Sequence, residues 1–227
     1  MRVLLKYPTR ERPQQFIETI KKWESMLSPS NEYHWLITID QDDPSMGFFI
    51  NDRSMLTHPH TVVTMEPAGK IAACNFGVNE ILETHHFDMI WLVSDDMKPM
   101  IQDFDVEIEY EMNTHYPDYD GAVHINDGLQ GIRLCTFSCM GVPYYKRYGY
   151  LYHPDYKSTH CDDEYTQLAW AHRRMLWIPT CLVKHEWVGL SQNPDALHKK
   201  NHALMTSVDQ ETYNKRIRSG FPKNSIL

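Results

Sequence analysis

No stretch of this chain stays apolar long enough to cross a bilayer. The opening residues, MRVLLKYPTRERP, hold only three consecutive apolar positions, Val3, Leu4 and Leu5, too few for the core of a signal peptide. There is no C-x-x-C pair. The five cysteines, at 74, 135, 139, 161 and 181, are scattered and odd in number, which argues against a disulfide frame and for reduced thiols. These absences give the expectation of a cytoplasmic protein without a membrane span. Excess positive charge is also missing. With 22 basic and 30 acidic side chains the formal net charge is −8, so there is no general attraction to phosphate backbones or anionic lipid. A nucleic-acid partner would need a local basic patch. Internal repeats, low-complexity tracts and obvious linkers are absent, as is a G-x-x-x-x-G-K-[ST] phosphate loop.

What is present fits one α/β unit. A chain of 227 residues, 42% hydrophobic, can bury a sizeable core in a single domain. Strand and helix patterns alternate through the first half, the signature of βαβ units and a mainly parallel sheet. Val3–Tyr7 reads as a buried strand, followed by a Pro8–Pro13 turn. Phe16, Ile20, Trp23 and Leu27 then recur at helical spacing behind Pro13. Strands are expected at Trp35–Ile39, Thr61–Met65 and Met89–Val93, with shorter ones at Asp120–Ile125 and Cys135–Cys139. One helix is expected after Gly69, with Ile71, Cys74, Val78 and Ile81 on one face, and another over Gln102–Thr114. A third begins near Asp162, with Tyr165, Leu168, Ala169 and His172 in phase. Leu176–Val183 reads as a late strand. Ser207–Ser219 reads as a surface helix with Val208, Tyr213 and Ile217 inward.

Four of these strands end in polar or Pro-rich segments, and in open α/β sheets ligands sit beyond the carboxyl ends of strands. The ends supply Thr9 and Arg10, then Asp40 and Asp42, then the Pro67–Lys70 turn, then Asp95 and Asp96. The adjacent carboxylates Asp95 and Asp96 have two readings: a turn cap beside a solvated acid, or a ligand for a hard divalent cation beside a sugar-hydroxyl contact. Gly69 permits a tight strand-to-helix turn whose amides favour an anion, with Lys70 and Asn75 in reach of a ligand. Asp162, Asp163 and Glu164 suit a helix N-terminus electrostatically, and one of them could equally be a general base toward an acceptor hydroxyl. His185, after the late strand, is either a packed histidine or a further ligand for a manganese-like cation. Six tyrosines between Met140 and His160 make a lid or a stacking platform. Lys199, Lys200, Lys215, Arg216 and Arg218 form a local basic patch, or simply a solvated helix face.

Taken in order over roughly residues 1–190, "YPTRERP", "TIDQDD", "GKIAACNFG", "VSDDM", "CDDEY" and "HEW" resemble the motifs of nucleotide-sugar glycosyltransferases of the GT-A fold, especially family 2-like ones. The resemblance implies a Rossmann-like three-layer α/β sandwich with a mainly parallel central sheet. It implies one catalytic domain over 1–227: a nucleotide-sugar-binding half (1–100), an acceptor half (101–190) and a helical tail (191–227). The implied donor is a nucleoside-diphosphate sugar, with Mn2+ or Mg2+ as cofactor. Pro8, Thr9, Arg10, Asp40 and Asp42 would face the nucleoside, with Lys70 and Asn75 near the donor and Asp95 on the ribose. The strict D-x-D motif would need an acid where Ser94 stands, so the metal falls to Asp96, with His185 as a late ligand. Asp162, Asp163 or Glu164 would be the base of an inverting transfer, with Asp162 favoured by reading the segment as D-x-E. The acceptor stays open among glycan, lipid, protein and hydroxymethylated pyrimidine in viral DNA. The alternatives are a nucleotidyl- or phosphoryl-transfer enzyme, and a non-catalytic nucleotide-sugar-binding module.

Overall fold

The computed structural model describes residues 1–186 and 196–221, with only the backbone path given for 196–206. Strand β1 (Arg2–Thr9) lies at the middle of the sheet and is buried on both faces. It pairs in parallel with β2 (Glu32–Asp40), which pairs in parallel with β3 (His60–Met65). On its other side β1 pairs in parallel with β4 (Met89–Leu92). A short strand, β5 (Met97–Pro99), leaves the sheet after β4. The sheet continues through β6 (Ala122–Ile125), β7 (Cys139–Gly141) and β8 (Met175–Ile178), giving the order β3-β2-β1-β4-β7-β6-β8. Only β7 runs against its neighbours. The ninth strand, β9 (Val183–His185), pairs antiparallel with β5 in a separate two-stranded ribbon.

Alternation along β1 builds two cores, because successive side chains point to opposite faces. Val3, Leu5 and Tyr7 pack with helices α1 (Pro13–Met26), α2 (Gly47–Asn51) and α5 (Phe104–His115). Phe16, Ile20 and Trp23 of α1 are fully buried there, as the helical spacing predicts. Leu4, Leu36 and Ile90 face the other way, toward α3 (Lys70–Asn75), α4 (Val78–Thr84), α6 (Val142–Lys146) and α7 (Cys161–Ala171). Helix α8 (Ala196–Ser219) lies over the second layer, touching it through Tyr213. The result is the three-layer α/β sandwich with a mainly parallel sheet that the sequence implied. Among the described residues, no helix is long and apolar enough to cross a membrane.

Four expectations are corrected. The helix expected after Gly69 is two helices. Gly77 takes a left-handed φ of 82° and Phe76 is extended, so the 71-74-78-81 face bends at that point. The break has a partner: the buried Lys6 of β1 donates to the Phe76 carbonyl at 2.7 Å and to the Thr38 hydroxyl. The late strand splits because Pro179 cannot donate to a ladder, and the chain passes from β8 to the separate ribbon. Cys135 lies outside β7, which begins at Cys139. On α8, Val208 and Ile217 are exposed, whereas Asp209 is fully buried and Arg216 turns inward.

Four of the six tyrosines in 140–160 (Tyr144, Tyr145, Tyr152 and Tyr156) are core residues. They belong to the packing beneath the surface rather than to a stacking platform.

Lys6 yields a pH prediction. Burial lowers its pKa to about 7, with nearby Cys74 and Glu80 pulling weakly upward. The unfolded chain therefore holds a proton that the folded chain has released across the interval from about pH 7 to 10.5. Stability from this group is complete above the upper limit and is lost as pH falls to the lower one. Melting curves of wild type and Lys6→Met between pH 6.5 and 10, in steps of about one unit, should diverge, with only wild type gaining on the alkaline side. Parallel curves would refute the assignment.

Candidate active site

Because β1, β2, β3 and β4 are parallel, their carboxyl ends open on one edge of the sheet. After β4 the backbone runs on beside β1, with the Val93 amide donating to the Lys6 carbonyl at 2.8 Å. It then turns through Ser94–Asp96 into β5. The turn is held from two directions. From α1, Thr19 donates to the Asp95 carbonyl at 3.3 Å and the Trp23 indole to the Met97 carbonyl at 2.9 Å. From the ribbon, the Glu186 amide donates to the Asp96 carbonyl at 2.7 Å. The β5–β9 register sets Met97 opposite His185. This brings His185 Nε2 to 3.2 Å from Asp96 Oδ2, across 89 residues of sequence. Ser94 donates to the other Asp96 oxygen. Burial alone would push the Asp96 pKa up. The hydrogen bond from His185, with Ser94 and Lys70, outweighs it and holds the carboxyl below the usual aspartate range.

Lys70 opens α3 behind Gly69, whose φ of 93° is one that side-chain-bearing residues rarely adopt. The Lys70 ammonium is solvent-accessible and lies within electrostatic reach of both Asp96 and Asp162. Asp96 and His185 are thus in contact, and Lys70 links Asp96 to Asp162 electrostatically. Burial raises the Asp162 pKa, Lys70 pulls it back, and the neighbouring Asp163 adds to the rise. Asp163 is held by His160 Nδ1 at 3.0 Å. Glu164 is 2% exposed and bound at both oxygens by Arg216, at 2.5 and 2.6 Å, and by the Tyr156 hydroxyl at 2.8 Å. Its carboxylate is committed to packing α8 on α7, with three of its roughly four lone-pair sites taken.

The edge that the resemblance implies would face a nucleoside is more tightly wired than the sequence indicated. Arg10 bridges Asp40 at 2.5 Å and Asp42 at 2.6 Å, so three residues expected to act singly form one ion cluster. Pro8 and Thr9 close β1 beside them, and the buried Thr9 hydroxyl has no hydrogen-bond partner among the described residues. Both oxygens of Asp95 lie 3.0 Å from Arg12 Nη1, so the expected ribose contact is an ion pair here. Asn75 is a correction. Its oxygen accepts from the Leu151 and Tyr152 amides at 2.8 and 3.2 Å, and its nitrogen donates to the Tyr152 carbonyl at 2.7 Å. It ties α3 to the 151–152 loop and is not aimed at a ligand. Of the basic patch, Lys215 and Arg218 are exposed and Arg216 is internal, while the side chains of Lys199 and Lys200 lie outside the described residues. Trp187 of the "HEW" motif lies outside them too.

Several functional candidates were missed. Asp209 of α8 is fully buried and accepts the amides of Lys157, Ser158 and Thr159 at 2.7–2.8 Å, fixing the loop that leads into α7. No local signal marks it, since its partners lie about 50 residues upstream. Asp127 follows β6, accepts amides from its own turn, and approaches His185. The Asn126-Asp127-Gly128 triplet, a turn signature, could have flagged it.

The residues fit a divalent cation. Adjacent ligands of an octahedral ion at ~2.1 Å lie ~3 Å apart, and Asp96 Oδ2 and His185 Nε2 have that separation. One carboxylate oxygen and one imidazole nitrogen suit manganese-like ions. Among the described residues no three His, Cys, Asp or Glu side chains converge on one point. Such an ion would find two protein ligands here, Asp96 and His185, among the described residues.

No protein-family model and no curated protein matches the chain. Solved structures do. The mannosyltransferase PcManGT from Pyrobaculum calidifontis, in complex with GDP-Man and Mn2+, superposes with a TM-score of 0.64 at 15% identity, over 96% of this chain and 64% of its own. S. aureus TarS 1–349 in complex with UDP-GlcNAc gives 0.59 at 14% identity, over 99% of this chain and 74% of its own. Without a sugar nucleotide named, TarS 1–349 gives 0.58 at 12% identity, over 82% of this chain and 60% of its own. The chain thus spans 60–74% of these chains and 43% of the longer S. aureus TarS chain. Its fold is the GT-A-like fold of nucleotide-sugar glycosyltransferases.

The Glu164–Arg216 pair generates a stability prediction. Arg216→Met leaves a buried carboxylate without its counter-charge, and the expected loss is ~3–5 kcal/mol. Adding Glu164→Gln should recover much of that loss. Urea melts of the three variants measure it, and a double mutant no more stable than the single one would contradict the account.

Proposed function

We propose that the chain is a divalent-cation-dependent glycosyltransferase that moves a sugar from a nucleoside-diphosphate sugar to an acceptor hydroxyl. The observation that carries the proposal is the 3.2 Å approach of His185 to Asp96 at the carboxyl edge of a GT-A-like sheet. Lys70 and Asp162 stand beside that pair. The donors named with the structural neighbours, GDP-Man with Mn2+ and UDP-GlcNAc, support the substrate class. The chain spans 64% and 74% of those chains, so their acceptors are not carried over.

Asp96 and His185 hold the cation, which when bound screens the donor diphosphate and makes it a better leaving group. Lys70 adds a fixed positive charge within electrostatic reach of Asp96, where negative charge grows on the departing phosphate. Thr9, with an unpartnered hydroxyl, and the Arg10–Asp40–Asp42 cluster border the nucleoside. Asp95, oriented by Arg12, lines the ribose side. Asp162 accepts the proton of the acceptor hydroxyl as its oxygen bonds the anomeric carbon. A raised pKa makes Asp162 a stronger base than an ordinary aspartate. Asp163 is the second candidate, and its hydrogen bond to His160 makes it the less available of the two. A single displacement of this kind inverts the anomeric centre.

Two predictions follow from these roles. Asp96→Ala should abolish Mn2+-dependent transfer or hydrolysis of UDP-GlcNAc and GDP-mannose while the protein still melts cooperatively. Undiminished turnover in that variant would end the proposal. Asp162→Asn should lower kcat by ~10²–10⁴ with donor affinity kept, and Asp163→Asn should cost far less. The acid limb of the wild-type pH–rate profile should lie above the usual aspartate range, because the base must be deprotonated and its pKa is raised. A limb that persists in Asp162→Asn moves the base elsewhere.

A further inference from the structure

We propose that Asp127 is a positioning residue for His185: its carboxylate takes the second ring nitrogen of the imidazole and thereby aims the first at the cation. The inference rests on the reading of Asp96 and His185 as cation ligands and goes one layer outward from it.

Asp127 is 1% exposed. Its Oδ1 is engaged by its own turn, accepting the amides of Leu129 at 2.9 Å and Gln130 at 2.7 Å, with Gly131 at 3.4 Å. Its Oδ2 faces the other way. That oxygen accepts the Thr136 hydroxyl at 2.7 Å and lies 3.9 Å from His185 Nδ1. The main chain makes the same connection, because the His185 amide donates to the Asp127 carbonyl at 2.9 Å. His185 Nδ1 is buried and has no hydrogen-bond partner among the described residues. Asp96, His185 and Asp127 thus form a carboxylate–imidazole–carboxylate series, closed at the Asp96 end and, at 3.9 Å, just beyond hydrogen-bond range at the Asp127 end.

The open end has a chemical reason. A neutral imidazole carries one N–H. When Nε2 donates to Asp96, Nδ1 presents a lone pair and has nothing to give to Asp127. An imidazole that binds a metal through Nε2 carries its hydrogen on Nδ1, and such a hydrogen is almost always passed to a carboxylate, a carbonyl or water. Asp127 Oδ2 is the acceptor already waiting there. The change moves one proton from Nε2 to Nδ1 and leaves the net charge of the ring unaltered. The turn held by Oδ1 keeps Oδ2 in place, so the acceptor is preorganised rather than recruited.

The test is Mn2+ binding, followed by the electron paramagnetic resonance of free Mn2+ with the metal alone as probe. Asp127→Asn keeps an oxygen for the turn amides and replaces the oxygen facing His185 with an NH2 group. It should retain the wild-type melting curve and weaken Mn2+ binding ~10–100-fold. Wild-type affinity in Asp127→Asn, alongside loss of binding in Asp96→Ala, overturns the role of Asp127 and leaves the cation site standing. Unchanged affinity in Asp96→Ala removes the cation site itself, and this proposal with it. A second measurement covers the case in which Asp127→Asn does not fold. Side-chain 15N spectra of the wild-type protein in saturating Mg2+ should report His185 with its hydrogen on Nδ1. A hydrogen that stays on Nε2 overturns the proposal.

Discussion

The arrangement depends on one backbone pairing, the three-residue antiparallel contact between β5 and β9. The main sheet can bring four carboxyl ends to an edge, but it supplies no histidine there. β9 comes from the far end of the sheet, after β8, and would have no reason to approach β4 without a ladder partner. By leaving the sheet immediately after Asp96, β5 provides one. The pairing fixes His185 in register with Met97, and the Trp23 indole and the Glu186 amide clamp the same turn from opposite sides. A contact between residues 89 positions apart thereby becomes as well defined as one between neighbours.

The sheet and the first layer were legible because their signals are local. β1, β2 and β4 are continuous apolar runs buried on both faces, which is how central parallel strands read. Helix α1 announces itself through Pro13 and a clean Phe16-Ile20-Trp23 stripe. The acidic strand ends were visible too, and Asp96 and His185 do meet. Features decided by tertiary partners were not legible. Apolar spacing from Ile71 to Ile81 is continuous, yet Gly77 and the Lys6 ammonium divide the helix. Asn75 and Glu164 carry the right chemistry for a ligand. They are taken instead by the 151–152 loop and by Arg216, neither of which is close in sequence. A polar residue beside a motif shows its type in the sequence. Its occupation is written elsewhere in the chain.

Over residues 207–219, helix α8 turns Asp209, Tyr213 and Arg216 inward, while Val208 and Ile217 face solvent. Among these described side chains, charged contacts dock the helix, with Tyr213 packing beside them. Arg216 finds the Glu164 carboxylate, and Asp209 finds three backbone amides. Such contacts are directional, so they fix one register of the helix where a greasy face would tolerate sliding.

The Asp209 contact also has a temporal meaning. The amides of residues 157–159 belong to the loop that launches α7, and their acceptor sits some fifty positions later in the chain. During synthesis on the ribosome that loop emerges first and waits with three unanswered donors. The placement of the loop three residues ahead of Asp162 thus rests on a contact that only a chain reaching residue 209 can make.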